Sequence, residues 1–185
     1  MIIIGLGNIG NEYDNTPHNV AWMVFDNLIS DDSLWQRNKY ASSMMATTSI
    51  GEKEVYLVKP ETFMNNSGEI IPYLLKEYNI GIDDIIVIHD DIDLPLGSIR
   101  ISYDRGDGGH NGVKSITQAL DSKAFMRIRI GVSFVDETGN LHKPNVLNHF
   151  SKENVEKVKE LSKNVAKILT LIIEKGREKA MNVYN

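Results

Sequence analysis

Ile2-Ile3-Ile4-Gly5-Leu6-Gly7-Asn8-Ile9-Gly10-Asn11-Glu12-Tyr13-Asp14-Asn15-Thr16-Pro17 opens as an apolar strand and closes as a polar loop, and the fold turns on its glycines. Gly5, Gly7 and Gly10 form a G-x-G-x-x-G directly after the strand, the pattern of a dinucleotide-binding turn. That chemistry requires the third glycine to open a helix whose N-terminus holds a pyrophosphate, with an acidic residue at the end of the next strand. Here a polar loop follows Gly10, Pro17 delays the helix, and Asp26 falls inside that helix. The nicotinamide reading therefore fails its context test. A tight glycine turn remains, from which Asn8 projects.

Outward from this turn, apolar runs rich in β-branched residues predict strands at 2–6, 44–50, 54–58, 85–89, 98–103 and 127–134. Helical periodicity lies between them. The first helix is expected to start with Thr16 as N-cap and Pro17 at its first position, with Ala21, Val24, Phe25 and Leu28 on one face. Others are expected over 68–79, 110–120 and from a Ser151 cap onward, where Val155, Val158, Leu161, Val165, Ile168 and Ile172 recur at three- and four-residue steps. No linker or repeat divides the chain. The expectation is one α/β domain over 1–185, a three-layer α/β/α sandwich around a twisted, mixed and largely parallel sheet.

With 185 residues, the chain is long enough to bury a core without staples. It has no cysteine, which removes disulfides, Cys-ligated metal and thiol nucleophiles. No basic leader opens it and no apolar run approaches a membrane span, so a cytoplasmic location without membrane contact is expected. The net charge of −5 conceals a split. Residues 1–97 carry 5 Lys/Arg against 15 Asp/Glu, a balance of −10, whereas residues 98–185 carry 15 against 10, a balance of +5. Such asymmetry is a hint of an acidic partner, but from the count alone two differently solvated faces are the better explanation.

Several residue types invite chemistry. His18 falls in the first turn of a helix, where free N–H groups disfavour an imidazolium and leave a neutral ring able to act as a base. Ile85-Ile86-Val87-Ile88-His89-Asp90-Asp91-Ile92-Asp93-Leu94-Pro95 is a buried strand running into three carboxylates, at the strand end where open α/β sheets bind ligands. Those carboxylates with His89 suit a hard divalent cation; equally, one aspartate can fix a histidine tautomer while the others face solvent. Asparagine turns follow two more strands, at Thr62-Phe63-Met64-Asn65-Asn66-Ser67-Gly68 and Gly106-Asp107-Gly108-Gly109-His110-Asn111-Gly112. No G-x-S-x-G elbow is present, which argues against a covalent serine hydrolase. Basic residues cluster late: Arg100, Arg105, Lys114, Lys123, Arg127 and Arg129, with eight more from Lys152 to Lys179. On the last helix these suit a solvated face. Arg127 and Arg129 alternate on a strand, share one face and suit phosphate.

Gly5-Leu6-Gly7-Asn8, Thr16-Pro17-His18-Asn19, Lys59-Pro60-Glu61-Thr62-Phe63-Met64-Asn65, His89-Asp90-Asp91-Ile92-Asp93-Leu94-Pro95 and Gly108-Gly109-His110-Asn111-Gly112, in this order, resemble the bacterial peptidyl-tRNA hydrolases over nearly the whole chain. The resemblance implies hydrolysis of the ester between a peptide and the 3′ ribose of tRNA, by a monomer that uses neither metal nor cofactor. It implies His18 as general base, Asp90 as its orienter and Asn8 as a third catalytic group. Asn65 and Asn111 would position the substrate, and Tyr13 and Met64 would line the peptide side of the cleft. Arg105, Lys114, Arg127 and Arg129 are the expected tRNA contacts. Ile9 stands where the family usually has proline, Pro17 where it has arginine, and Ser102 near a common tRNA-binding lysine, whose charge Arg100 or Arg105 would then supply. Two other functions compete: a non-catalytic RNA-binding relative of the same fold, and a metal-dependent phosphodiesterase.

Overall fold

A computed structural model describes residues 1–185. In chain order its elements are β1 (Ile2–Gly5), α1 (Val20–Leu28), β2 (Gln36–Asn38), β3 (Ser43–Ile50), β4 (Lys53–Pro60), α2 (Ile71–Glu77), β5 (Ile85–Pro95), β6 (Ile99–Tyr103), α3 (Asn111–Leu120), β7 (Met126–Val135), β8 (Leu141–His142), α4 (Lys152–Lys175) and α5 (Arg177–Tyr184). One sheet runs β2-β3-β4-β1-β5-β7-β6, with β8 paired to β7. The four central strands β4, β1, β5 and β7 are parallel, and antiparallel neighbours flank them on both sides. This is the expected mixed sheet with a largely parallel centre.

The two faces follow from residue parity, since successive side chains on a strand point to opposite sides. Ile3, Ile86, Ile88, Ile128 and Ile130 pack with α1 and α4, whereas Ile2, Ile4, Ile85 and Val87 pack with α2 and α3. Both faces of the central strands are thus buried, and this explains their continuous apolar runs. The α2/α3 layer is short and ends over β5. Where it ends, the same face of β5, β7 and β6 changes from apolar to polar residues.

Gly5 and Gly7 owe their place to helix packing. A Cβ on Gly5 would meet the Phe25 ring at 2.7 Å, and one on Gly7 the Trp22 indole at 2.6 Å, so both glycines let α1 lie against the turn. Gly10 adopts φ 121°, the region that favours glycine. None of the three opens an α-helix whose N-terminus could hold a pyrophosphate, since α1 starts only at Val20.

Four details differ from expectation. Thr16 does not cap with its side chain; its hydroxyl donates to the Tyr13 carbonyl at 2.7 Å, and a 3₁₀ turn over Pro17–Asn19 precedes α1. The second helix begins as a 3₁₀ segment over Met64–Ile70 and becomes α-helical only at Ile71, next to Pro72. β5 does not stop at residue 89: a register shift between Asp91 and Pro95 carries its pairing with β7 through the acidic run. The polar strand β2 was not visible to hydrophobic patterning at all.

The free edge of β6 is covered by Asn185. Its side-chain amide accepts from the Ile101 N–H at 2.9 Å and donates to the Ile101 carbonyl at 2.8 Å, as a neighbouring strand would.

Candidate active site

Asp90 is 2% exposed and stands between two histidines. Nδ1 of His18 lies 3.0 Å from both of its carboxylate oxygens, and Nε2 of His110 lies 2.8 Å from Oδ1. The tautomers follow from the partners. Nδ1 of His110 accepts from the Val113 N–H at 3.3 Å, so its proton sits on Nε2 and is donated to Asp90. Nδ1 of His18 likewise donates to Asp90, which leaves the His18 Nε2 lone pair free to accept a proton. Burial alone would push the Asp90 carboxyl upward; the proximity of His110 and the hydrogen bonds from His110 and then His18 outweigh it and hold the group well below the usual carboxylate range.

His89, on the preceding position of β5, donates from Nδ1 to the Asp90 carbonyl at 2.7 Å and packs edge-on against the His110 ring. Its burial, and then the proximity of His110, hold it neutral.

The asparagines occupy the turns after β1 and β4 and the start of α3. Asn8 is buried, and Asn19 clamps its backbone through bonds of 2.8 and 3.0 Å. Its own Oδ1 accepts from the Met64 N–H at 2.8 Å, which fixes the amide and leaves Nδ2 as its donor. Met64 is buried beside it, Asn65 follows on the exposed side of the turn, and Asn111 is the exposed first residue of α3. Tyr13 is half-buried and packs edge-on against the exposed Phe63 at 6.4 Å.

The three carboxylates of β5 do not converge. Strand alternation sends Asp91 to Arg129 at 2.6 Å, and Asp93 pairs with Lys143 at 2.6 Å. Since His89 points its Nδ1 to a backbone carbonyl, the anticipated donor set does not assemble around a cation. Polar atoms of His18, Asp90 and His110 do lie within 4.8 Å of one another. A metal there would need the ring nitrogens that now donate protons to Asp90. Hydrolysis is therefore expected to survive dialysis against EDTA; loss with EDTA and recovery with magnesium or manganese would show that these three side chains serve as ligands instead.

Beside the histidines lies a cavity of about 730 Å³, lined by His18, Asp90 and His110 and by Arg100, Arg105, Arg127 and Arg129. Its wall is the sheet face left bare by the short α2/α3 layer. Arg127 and Arg129 share that face, as strand alternation predicted, but Arg127 is 2% exposed. Nε of Arg127, Oγ of Ser102 and Nε2 of His89 are buried, line this cavity and have no protein partner. Lys114, in contrast, is exposed on α3 and does not line the cavity. Three of the six lysines of α4, Lys157, Lys159 and Lys163, pair with glutamates of their own helix, as a solvated face would.

His110 was not among the residues singled out by sequence. Its signal was local: a ring nitrogen at the N-cap of a helix that follows a glycine pair, next to Asn111, which was singled out as a turn asparagine.

A histidine with a free nitrogen, oriented by a buried aspartate among amide donors at the carboxyl ends of parallel strands, defines an α/β enzyme of the hydrolase type. The peptidyl-tRNA hydrolase family model matches residues 2–185. Peptidyl-tRNA hydrolases of Thermotoga petrophila and Citrifermentans bemidjiense are 43% and 37% identical, each alignment covering 100% of this chain and 97% of the relative. The crystal structure of peptidyl-tRNA hydrolase from Acinetobacter baumannii superposes with a TM-score of 0.83 at 27% identity, over 100% of this chain and 93% of that one. The chain belongs to the peptidyl-tRNA hydrolase family.

Proposed function

We propose that this protein hydrolyses the ester joining a peptide to the 3′ ribose of tRNA, acting in the cytoplasm as a monomer, and that the His18–Asp90–His110 chain carries the chemistry. Nε2 of His18 takes a proton from water as the water oxygen bonds to the ester carbonyl carbon. Nδ2 of Asn8, fixed by the bond from Met64 N–H to its Oδ1, donates to the carbonyl oxygen as negative charge develops there. Asn65 and Asn111 supply further amides to the substrate. Collapse breaks the carbon–oxygen bond to the ribose, and His18 returns its proton to the leaving 3′ oxygen. The residues named need no cofactor for these steps. Tyr13 and Met64 face the peptide, and the basic cavity takes the acceptor end of the RNA.

The observation that carries this reading is the combination of an imidazole held at Nδ1 by Asp90, with its Nε2 unbonded, and a basic cavity adjoining it. Release of free tRNA from N-acetyl-aminoacyl-tRNA tests it directly. A phosphodiester product would favour the nuclease alternative, and binding without release a non-catalytic relative.

The RNA track is proposed to run through Arg105, Arg127 and Arg129, with Lys114 at its outer end and the partnerless atoms of Arg127 and Ser102 available for phosphate. Arg100 stands in register with Arg129, and Ser102 with Arg127, on the edge strand β6. Each phosphate contact releases counterions, so log affinity should fall with log salt by roughly 0.7 to 0.9 per contact. Arg129→Ala is expected to raise KM for full peptidyl-tRNA and to flatten that slope, while a blocked aminoacyl group on a short 3′ fragment is hydrolysed as before. Equal loss on both substrates would mean that the Arg129–Asp91 pair supports the site itself.

A further inference from the structure

A second groove, of about 550 Å³, opens at the opposite edge of the sheet, between β2 and α2. Four of the chain's 7 tyrosines, Tyr40, Tyr56, Tyr73 and Tyr78, line it. Tyr40 is 72% exposed, yet its ring lies nearly parallel to that of Tyr73, with centroids 6.2 Å apart and planes at 17°. Its position is fixed: the Asn38 side chain accepts from the N–H groups of Tyr40 and Ala41 at 3.0 and 3.1 Å, and Lys39 Nζ sits 5.2 Å from the Tyr40 ring centre. Arg37 spends its Nε on Glu61 at 2.7 Å, and the rest of its side chain is exposed. Arg37 and Lys39 are the sole Lys or Arg residues between positions 1 and 52, and both rim this groove.

We infer that this groove receives the distal part of the peptide carried by the tRNA, an inference that rests on the function proposed above. The substrate is linear, with RNA on one side of the ester and peptide on the other. With the RNA track on the β6 side of the sheet, the peptide leaves toward β2. The sheet register puts the Asn38 end of the groove at the height of the site, while Thr47 and Tyr56 lie lower, level with Ile2. Asn38 pairs with Ser43 and Ser43 with Pro60, while Val58 pairs with Ile4, so Asn38 is level with Leu6, two residues before Asn8. Three strand intervals separate β1 from β2, about 14 Å. An extended chain covers that distance in about four residues.

The chemistry suits a peptide of any sequence better than RNA. The half of the chain that contains the groove carries −10, which repels phosphate. Tyrosine faces bury side chains of many shapes at low entropic cost, and the free guanidinium nitrogens of Arg37 can donate to main-chain carbonyls. β2 is an edge strand paired only with β3, so its outer main chain is open to an added strand.

The test compares N-acetyl-aminoacyl-tRNA with peptidyl-tRNA bearing a six-residue peptide. Tyr40→Ala is expected to raise KM about tenfold for the long substrate, as for loss of an interface anchor, and to leave KM for the short one unchanged. Tyr40→Phe, which keeps the ring, should restore the long-substrate KM. An unchanged KM for the long peptide would overturn the inference, as would an equal rise for both substrates or weaker binding of deacylated tRNA by Tyr40→Ala. Failure of the wild-type protein to release tRNA from the short substrate would instead overturn the functional reading on which this one rests.

Discussion

Replacing His18 by alanine is expected to lower kcat for tRNA release by about 10²- to 10⁴-fold, the usual contribution of a positioned general base. The fold should survive. His18 is held by its side-chain bonds to Asp90 and by the bond from its backbone N–H to the Val146 carbonyl at 3.1 Å, and only the former are lost. Asp90 keeps the His110 proton at 2.8 Å, so its buried charge is not left alone. Far-ultraviolet circular dichroism and a thermal melt would establish that the variant is folded. Wild-type turnover in such a preparation would remove His18 from the mechanism.

Asp90→Asn should reduce kcat by about 10²- to 10³-fold with little change in KM, because the base remains but loses the group that sets its tautomer. The isosteric amide has one accepting oxygen and one donating nitrogen, whereas two imidazole N–H groups face this position. The amide nitrogen, in place of Oδ2, lies 3.0 Å from Nδ1 of His18 and favours the tautomer with its proton on Nε2, which cannot accept another from water. Stability supplies a second measurement. The folded-state pKa of Asp90 is depressed, so its contribution is present above the unfolded value near 4 and is lost as pH falls through the folded value. Asp90→Asn should therefore be most destabilised relative to wild type at neutral pH, and the gap should narrow below about pH 4. Since Asp90 stays ionised between pH 5 and 8, a fall in activity over that interval belongs to another group. A loss of only a few fold in kcat would show that His18 is oriented by something other than Asp90.

Much of this arrangement was legible beforehand, and the exceptions have physical causes. The buried parallel strands announced themselves because both their faces are covered, which makes them continuous apolar runs. Asn8 and Asp90 stood out as polar residues at the ends of such runs, and His18 as a histidine in the first turn of a helix. His110 did not, because its partner lies 20 residues away in sequence and the contact depends on where α3 begins. The acidic run left a cation site and a histidine-orienting aspartate both open, because a one-dimensional string shows three neighbouring carboxylates and hides the pleat that turns Asp91 away from Asp90 toward Arg129, and the register shift after Asp91 beyond which Asp93 meets Lys143. β2 escaped notice because Gln36-Arg37-Asn38 has no apolar residue; only pairing with β3 makes it a strand. Thr16 was assigned the role its residue type favours, but the preceding loop turns back and claims its hydroxyl for Tyr13.

The amide of Asn185 gives the edge of β6 a decoy partner. An unguarded sheet margin offers alternating donors and acceptors to any passing extended chain, and a nascent polypeptide still tethered to tRNA is such a chain. By occupying both main-chain groups of Ile101, one side chain leaves that residue nothing to offer an added strand. The enzyme has asymmetric margins: β6, where Ile101 is already paired, beside the basic cavity, and β2, open to strand addition on the far side.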